Sequence, residues 1–527
     1  MTAHPDRRFC RGYRPRVSTT LYRGGRVRSP VDPHATALLT DDGVIAWIGR
    51  EDAADGLSAD LTVRLDGTWL LPAFVDAHVH TTSTGQALTG LDLTGAPSLA
   101  AALRMVEDHC RRARGGAVLG TGWDETRWPE GRPPTAAELD RASYGGVVYL
   151  SRTDVHSAVA SSALLAVCGP ARGLPGYLPD GLVKQAAHHH VRRVAQQSVT
   201  PGQRQTAQLA ALDRAASLGI GCVHECGGPD ISGEDDFTDL LAADHPVQRI
   251  GYWGELGAVD RARELGAVGA AGDLFADGAL GSRTACLHAP YEEGGLGAAY
   301  LDAEQVADHV IRCTQAGLQS GFHAIGDAAL ATVTRGFAQA AAVLGVPTLR
   351  AARHRIEHVE MIATTDIAVL AELGIVASVQ PAFDARWGGA DGMYAQRLGR
   401  DRALAMNPLA ALVAAGVVLA LGSDSPVTAL DPWGTVRAAV AHRTPGSGLT
   451  AGQAFDAHTL GGWRAARHDT EGVLRPGAPA TFALWSGADL LADHDAPEPR
   501  CRRTVVAGRI AFDDPLGGAE DGTNRAI

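Results

Sequence analysis

Two histidines separated by one residue, His78 and His80, end an apolar run with the sequence FVDAHVH at 74–80. Side chains alternate between the two faces of a β-strand, so both imidazoles are expected on the same face. Imidazole nitrogens bind zinc and related divalent ions. On its own, an H-x-H pair is equally typical of a packing pair or a surface pair.

Three further polar residues, His323, His358 and Asp424, each lie at or near the carboxyl end of another apolar run. Barrels of parallel strands carry their catalytic groups at this end of the strands. Taken singly, either histidine could be an ordinary core or surface residue, and Asp424 could belong to a turn or a helix N-cap. Five such residues at the same end of four strand candidates favour one shared cause. We therefore predict one divalent metal site formed by His78, His80, His323, His358 and Asp424.

The elements that must position these residues are apolar runs of strand length that alternate with Ala-rich segments of helical periodicity. Alternating strands and helices predict a parallel sheet, and eight such units predict an α/β fold of the (β/α)8 TIM-barrel type. The eight strand candidates are 74–80, 220–226, 247–253, 272–278, 320–327, 353–360, 375–381 and 417–424.

The first two strand candidates are separated by far more residues than the later ones, which indicates a large insertion after barrel strand 1. Loops after barrel strands form the active-site face, so we expect this insertion to cap the barrel mouth. Short strand-like runs at both ends of the sequence predict a small composite β-domain. The expected division is a flexible tail at 1–18, a β-sandwich-like domain at 19–70 and 470–520, a barrel at 71–84 and 205–469, and an insertion at 85–204.

Composition and charge restrict the class of partner. The formal net charge is -12, whereas nucleic-acid binding requires clustered basic charge. No apolar run is long enough to cross a membrane, and the N-terminal segment lacks the apolar middle of a secretory signal. The eight cysteines form no C-x-x-C pair, as is typical of proteins in a reducing compartment. We expect a cytoplasmic protein, able to form a homodimer, that binds neither nucleic acid nor membranes.

Taken in order, the motifs FVDAHVH, HAIGD, RIEHVE and LALGSDSP resemble the amidohydrolase superfamily. The resemblance covers nearly the whole chain, from GTWLLP before the histidine pair, through DGALGSRTA, to EGVLRPGAPATFAL near the carboxyl end. Within this superfamily, the sequence resembles most specifically the branch that contains N-substituted formamide deformylases and homologues of exoenzyme regulatory proteins. The resemblance implies a metal-dependent hydrolase.

The resemblance also implies roles for individual residues. In this superfamily the H-x-H pair and the later histidines bind metal, and the aspartate of the last strand orients or deprotonates the attacking water. Asp424 would thus act as general base and acid, and His358 would belong to both the ligands and the catalytic centre. Candidate carboxylates behind the metal-bound histidines, or alternatively solvated acids, are Glu357, Asp327 and Glu360. The implied substrate contacts are Trp123, Asp124, Asp154, His156, Asp277 and Arg283, the last of which could instead form a structural salt bridge.

The expected number of metal ions depends on barrel strand 4. Many two-metal amidohydrolases bridge their ions with a carbamylated lysine on this strand, but here the sequence is GDLFADG, with Asp273 at the corresponding position. The only lysine in the chain, Lys184, lies outside the barrel strands. Asp273 could supply a carboxylate instead, although Phe275 and Asp277 share its strand parity and compete for the inward face. We expect one Zn²⁺ per chain; the alternatives are two ions bridged by an acid or by Lys184, and no required metal.

These features predict hydrolysis of a carbon–nitrogen bond other than a peptide bond, with an N-substituted amide or formamide as the small-molecule substrate. The same activated water also serves the opening of a cyclic amide and hydrolytic deamination, so both reactions stay open. A non-catalytic binding or regulatory protein on the same barrel is the remaining alternative. The presence of all five ligand-type residues favours catalysis over this last class.

Overall fold

A barrel of eight parallel strands forms the centre of the protein. The computed structural model describes residues 19–113, 117–197, 199–487, 491 and 496–514, so the predicted tail at 1–18 lies outside the described residues. A parallel bridge between Val79 and Ser425 joins the first strand to the end of the last, which confirms the predicted (β/α)8 fold. Barrel strands 1 to 8 are Phe74–Val79, Ile220–Gly227, Gln248–Trp253, Gly269–Ala270, Gln319–Ala324, Arg355–His358, Val376–Val379 and Leu419–Leu421.

Helices follow the barrel strands and cover the outside of the sheet. Helix Ala303–Gln315 shows why they form, because Asp302 and Gln305 make a capping box at its start and apolar residues recur on one face. Within the described residues, no single helix is long and apolar enough to cross a membrane; one pair, bent by 118°, meets that test only jointly. The helices after strands 2 to 8 are Glu234–Ala242, Val259–Glu264, Ala303–Gln315, Asp327–Leu344 and Val346–Ala352 (the bent pair), Thr364–Leu373, Pro381–Trp387, Met393–Leu398, Arg400–Ala403, Leu409–Ala414, Pro432–Val440, Ala451–Ala457 and Leu460–Ala465.

Barrel strand 4 is shorter than expected and begins earlier than the predicted range 272–278. Gly272 has a φ of 82°, a left-handed conformation that interrupts the extended chain and that glycine adopts without a side-chain clash. The chain then returns to the ladder, because Ala276 N donates to His323 O at 2.9 Å. The predicted bounds of this strand are therefore wrong, and the interruption leaves Asp273 at the carboxyl end of the barrel.

The chain between barrel strands 1 and 2 contains a second, five-stranded sheet. Its residues reach the barrel mouth, where Ser282 Oγ donates to Asp154 at 2.7 Å and Arg386 Nη2 donates to Thr153 at 2.8 Å. These contacts agree with an insertion that covers the barrel mouth. In spatial order the strands are Leu182–Lys184, Ser157–Ala160, Val148–Arg152, Val118–Trp123 and Leu91–Asp92. The helices of this region are Thr81–Thr89, Leu99–Ala113, Glu125–Arg127, Ala136–Ala142, Ser162–Val167, Gly169–Gly173, Gln185–Gln196 and Pro201–Ser217.

Strands from both ends of the described chain pair with each other. Trp69–Pro72 runs antiparallel to Phe482–Ser486, so one sheet contains N-terminal and C-terminal segments. Leu38, Leu70 and Phe482 share one apolar cluster between this sheet and a second, N-terminal one. The bounds of the composite β-domain remain a prediction. The strands of the first sheet are Arg26–Val27, Trp69–Pro72, Phe482–Ser486, Arg500–Val506 and Arg509–Asp513; those of the second are Val44–Gly49, Ala37–Asp41, Thr19–Arg23 and Leu61–Arg64, with the short helix Glu51–Ala54 beside them.

Phe74, at the start of barrel strand 1, lies in an aromatic cluster with Trp433, Phe455 and Trp485, at ring-centroid distances of 5.1, 5.3 and 5.9 Å. We predict that Phe74→Ala lowers the free energy of unfolding by about 3–5 kcal/mol, because apolar burial is lost and a cavity remains. Denaturant unfolding followed by circular dichroism measures this change. The control Val343→Ala, at a site 67% exposed, is expected to change stability by less than about 0.5 kcal/mol. Equal effects of the two substitutions would contradict the prediction.

Candidate active site

Three imidazoles and two carboxylates converge at the carboxyl ends of the barrel strands. His78 and His80 lie at the end of strand 1 and His358 ends strand 6, whereas Asp273 follows strand 4 and Asp424 follows strand 8. None of these five residues is more than 6% exposed. We call these five side chains the ligand cluster. Both histidines of the H-x-H pair face it, as strand alternation predicts.

The donor atoms of the ligand cluster are regularly spaced. His80 Nε2 lies 3.2 Å from Asp273 Oδ2 and 3.1 Å from Asp424 Oδ1. His78 Nε2 lies 3.5 Å from Asp273 Oδ1 and 3.4 Å from Asp424 Oδ1. His358 Nε2 lies 3.8 Å from Asp273 Oδ1. Ligand atoms about 2.0–2.2 Å from one tetrahedral zinc ion are roughly 3.3–3.6 Å apart, so the spacings within the two groups His78–His80–Asp424 and His78–Asp273–His358 are close to those of metal ligands.

The opposite ring nitrogen of each histidine is held by an acceptor. His78 Nδ1 donates to Glu357 at 2.9 Å, and His80 Nδ1 donates to the carbonyl of Cys226 at 3.1 Å. His358 Nδ1 donates to Gln380 Oε1 at 2.8 Å. A proton on Nδ1 leaves the lone pair of Nε2 free to bind a cation, and the acceptor fixes the ring orientation. All three imidazoles are therefore set in the tautomer that a metal ion requires.

The unpaired atoms of the cluster test whether a metal ion fits. Among the described residues, His78 Nε2, Asp273 Oδ1 and Asp424 Oδ1 are buried and have no hydrogen-bond partner. Buried polar atoms are normally paired, and leaving carboxylate oxygens unpaired is costly. A divalent cation would satisfy all of these atoms, and imidazole with carboxylate is a donor set that suits Zn²⁺ or a related first-row ion. The residues present fit the metal that the sequence implies.

Opposite charges stabilise each other within the cluster. Burial lowers the pKa of His80, but the bonded carboxylates of Asp273 and Asp424 raise it to about 9. Burial raises the pKa of Asp424, but His78 and His80 lower it overall to well below its usual range. The protein environment therefore keeps Asp424 ionised beside positive charge.

His323, which the sequence placed among the ligands, lies next to the cluster rather than in it. Its ring centroid is 4.4 Å from that of His358, and its Nδ1 is 3.6 Å from Asp277, too far for a hydrogen bond. Of the described groups that could hold an ion, none contains His323, and Asp273 is present instead. Its role as a ligand stays a prediction. The signal that could have identified Asp273 was its position where relatives carry the bridging lysine.

A cavity with aromatic walls opens beside the cluster. Two of the predicted substrate contacts, Asp154 and His156, line it, and the candidate acid Glu360 does so as well. His323 and Asp424 line the same cavity, so it connects directly to the ligand cluster. Its apolar wall is formed by Leu280, Phe383, Trp387, Met393, Tyr394 and Val427. The arrangement suits a small molecule with an apolar group.

Two predicted substrate contacts in the insertion have structural partners instead. Trp123 Nε1 donates to the carbonyl of Leu150 at 2.8 Å, and its ring is buried. Asp124 accepts from Thr126 N at 3.1 Å and pairs with Arg152 at 3.3 Å. Neither Trp123 nor Asp124 is among the described residues that line the cavity. Arg152 also forms an ion pair with Asp154. These contacts therefore fix the loop that carries the cavity residues.

The other two, Asp277 and Arg283, lie in the DGALGSR segment and are also not among the described residues that line the cavity. The carboxylate of Asp277 accepts from Ile325 N at 3.0 Å and from Gly326 N at 2.8 Å, so it fixes the chain after barrel strand 5. Arg283 is part-exposed and forms an ion pair with Glu293 at 3.3 Å, which is the structural alternative stated above. Direct substrate contact by these residues stays a prediction.

The three remaining candidate residues, Glu357, Asp327 and Lys184, differ in their contacts. Glu357 is buried and binds both His78 and Arg355, at 2.9 and 2.5 Å, as expected of a carboxylate behind a ligand histidine. Asp327 caps a loop by accepting from His288 N at 2.9 Å. Lys184 pairs with Ser157 at the edge of the insertion sheet and is not among the described residues that line the cluster. A bridging role for Lys184 therefore has no support in the geometry.

The fold and the ligand cluster define a TIM-barrel protein with a candidate metal centre at the carboxyl ends of its strands. Residues 62–512 match the sequence model of the amidohydrolase family, and the chain belongs to that family. The chain is 30% identical over 499 residues to Protein LONG AFTER FAR-RED 3 of Arabidopsis thaliana, covering 86% of this chain and 84% of that protein. It is 25% identical to an N-substituted formamide deformylase of Arthrobacter pascens, covering 91% and 95% of the two chains.

A solved structure shares the fold. An uncharacterized metal-dependent hydrolase from Pyrococcus horikoshii superposes with a TM-score of 0.74 at 24% sequence identity, over 91% of this chain and 100% of that chain. At this level of identity the likeness establishes the architecture. The family membership, the barrel and the ligand cluster thus agree with the resemblance seen in the sequence.

We predict that His78→Ala loses bound zinc while the barrel stays folded. The substitution removes the donor that both histidine–carboxylate groups of the cluster share. Elemental analysis of purified protein, with circular dichroism to check folding, measures the effect. His288→Ala, at an exposed histidine, is the matched control and is expected to retain the zinc content of the wild type. Wild-type zinc content in His78→Ala would rule out the cluster as the metal site.

We predict that Glu357→Gln lowers zinc affinity by about 10- to 100-fold, the usual effect of losing a carboxylate that orients a ligand histidine. The amide keeps the size of the side chain but removes the charge that faces Arg355 and the strong acceptor for His78 Nδ1. Competition with a fluorescent zinc chelator measures the affinity. Glu372→Gln, on a barrel helix, is the control for loss of one carboxylate. An unchanged affinity in Glu357→Gln would remove it from this role.

Proposed function

We propose that the protein hydrolyses a carbon–nitrogen bond other than a peptide bond in a small molecule, with an N-substituted amide or formamide as the substrate class. The observation that carries this proposal is the ligand cluster itself, whose side chains could hold a metal ion and two of which, His358 and Asp424, line the aromatic-walled cavity. Similarity to an N-substituted formamide deformylase supports the choice of bond.

The proposed cofactor is one Zn²⁺ per chain, held by His78, His80, His358, Asp273 and Asp424. When bound, such an ion supplies a water molecule with a pKa near neutrality and polarises the carbonyl that is attacked. Asp273 stands where many two-metal amidohydrolases carry a bridging lysine, so strand 4 offers no lysine for a carbamate, and this absence supports the proposal of a single ion.

Asp424 is the proposed general base and acid. Asp424 belongs to the ligand cluster and also lines the substrate cavity. Its carboxylate can therefore take a proton from the attacking water and return it to the leaving nitrogen. Its φ of 53° is unusual for a residue other than glycine, and such strain is typical of functional positions. Gly422 permits this placement, because a Cβ there would lie 2.6 Å from His78 N.

His323 and His156 are the proposed residues that orient the substrate. Their ring centroids are 5.3 Å apart and both line the cavity. Among the described residues, neither ring nitrogen of His323 has a hydrogen-bond partner, so both are available to the carbonyl or the nitrogen of an amide. The apolar wall then binds the substituent on nitrogen.

The opening of a cyclic amide and hydrolytic deamination use the same cluster and remain the second candidate reactions. The further expectations, a cytoplasmic protein that acts on small molecules, without nucleic-acid or membrane partners and able to form a homodimer, are proposals based on composition and charge.

A substrate panel tests the proposed reaction. Protein stripped of metal and reloaded with zinc, manganese or cobalt is assayed against N-substituted formamides, N-acyl amines, cyclic amides and aminated heterocycles, with products identified by mass. We expect turnover of formamides or N-acyl amines that depends on added metal. Turnover only of cyclic amides or aminated heterocycles would replace the proposed substrate class, and metal-independent turnover would contradict the mechanism.

We predict that Asp424→Asn loses activity by about 10²- to 10⁴-fold, the typical contribution of a general acid–base, while it retains bound metal. Asp302→Asn, at an exposed helix cap, is the matched control and is expected to keep normal turnover. Steady-state kinetics with parallel metal analysis measures both properties. Near-normal turnover would remove Asp424 from proton transfer, and complete loss of metal would make it chiefly a ligand.

A further inference from the structure

One buried cation beside the ligand cluster, Arg192, forms no ion pair with any residue that the structure describes. Arg192 lies on helix Gln185–Gln196 of the insertion and is only 6% exposed. It lines a second cavity, which we call the inner cavity, together with Asp273 and Asp424. No hydrogen bond or ion pair joins the guanidinium of Arg192 to another described residue.

The other two deeply buried arginines among the described residues are fully paired. Arg355, at 0% exposure, binds Glu357 at 2.5 and 2.9 Å. Arg152, at 4% exposure, forms three ion pairs, the shortest of them with Asp154 at 2.8 Å. Burial of a charge is costly unless the charge is paired, so proteins pair such groups or use them to bind a ligand. Arg192 differs from both because no described side chain pairs with its guanidinium. A bound anion would supply that partner.

Nearby groups do not complete the pair. The carboxylates of Asp273 and Asp424 face the histidines of the ligand cluster. Asp230 and Arg193 both line a separate groove, which we call the outer groove, and Arg193 donates a hydrogen bond to Asp230 there. On the helix itself, His188 precedes Arg192 by one turn and is engaged by Tyr149 at 2.8 Å. The missing partner is therefore an anion that enters the cavity from outside.

We propose that Arg192 forms an anion-binding subsite that holds a carboxylate next to the metal centre. A guanidinium matches a carboxylate with two parallel N–H donors, and this match is strongest where water is excluded. The carboxylate has two possible sources: the acid released by hydrolysis, or a carboxylate that the substrate carries. The naming of these sources rests on the proposed function, whereas the binding of a carboxylate does not.

Acetate is the probe for this subsite. Calorimetric titration of zinc-loaded protein with acetate compares wild type, Arg192→Gln and the matched control Arg193→Gln. Arg193 is the next residue, but it faces the outer groove and its side chain is 49% exposed. Arg192→Gln is expected to weaken acetate binding about 10- to 100-fold, as for loss of charged hydrogen bonds, and Arg193→Gln to leave it within about twofold. Equal affinity in wild type and Arg192→Gln overturns the subsite.

Arg192→Lys tests the same point if Arg192→Gln fails to fold. Lysine keeps the charge but loses the paired donors, so we expect acetate to bind this variant more weakly than wild type. Wild-type affinity in Arg192→Lys would contradict a paired guanidinium contact.

Kinetics distinguishes the two sources. If the carboxylate is the product, acetate inhibits the wild type and inhibits Arg192→Gln less. If the substrate carries it, Arg192→Gln raises the KM of a carboxylate-bearing amide relative to its methyl ester. Unchanged inhibition together with an unchanged KM ratio overturns the proposal. Acetate binding that depends on Arg192 in a protein without amide hydrolysis would keep the subsite and reject the proposed function.

Discussion

The placement of two ionised carboxylates in a buried site is the constraint on which the rest of the structure depends. Asp273 and Asp424 lie at the carboxyl ends of strands 4 and 8, and both face the Nε2 atoms of His78 and His80 at 3.1 to 3.5 Å. Such charges are stable away from water only beside positive charge. The barrel brings donors from opposite sides of its rim together, and a divalent ion held by these residues would supply the charge that this arrangement requires.

A polar network inside the barrel fixes the side chains of the ligand cluster in place. Glu357 holds His78 and is held in turn by Arg355, whose guanidinium also lies 4.3 Å from the ring of Tyr252. Burial raises the pKa of Glu357, but Arg355 and His78 lower it overall to about 2, so this carboxylate stays ionised. An ionised Glu357 fixes the tautomer of His78, and with it the direction of the metal-binding lone pair.

Periodicity and spacing predicted the barrel and most of the ligand cluster, because both are local properties of the chain. The H-x-H pair, His358 and Asp424 each follow an apolar run, and strand alternation places them at the rim. The position of Asp273 in the ligand cluster, with His323 beside it, was not predictable in this way. It depends on the left-handed turn at Gly272, which shortens strand 4 and brings Asp273 inward, and a turn of this kind leaves no periodic signal. Arg192 was missed for a related reason, since an unpaired cation is recognised only from its three-dimensional surroundings.

In the proposed metal centre, Asp273 rather than His323 is the remaining ligand. Calorimetric titration of metal-free protein with Zn²⁺, carried out in parallel on wild type, Asp273→Ala and His323→Ala, tests this most directly. We predict one equivalent bound by wild type and by His323→Ala, with binding largely lost in Asp273→Ala. Two equivalents in the wild type, or zinc retained in Asp273→Ala and lost in His323→Ala, would contradict it.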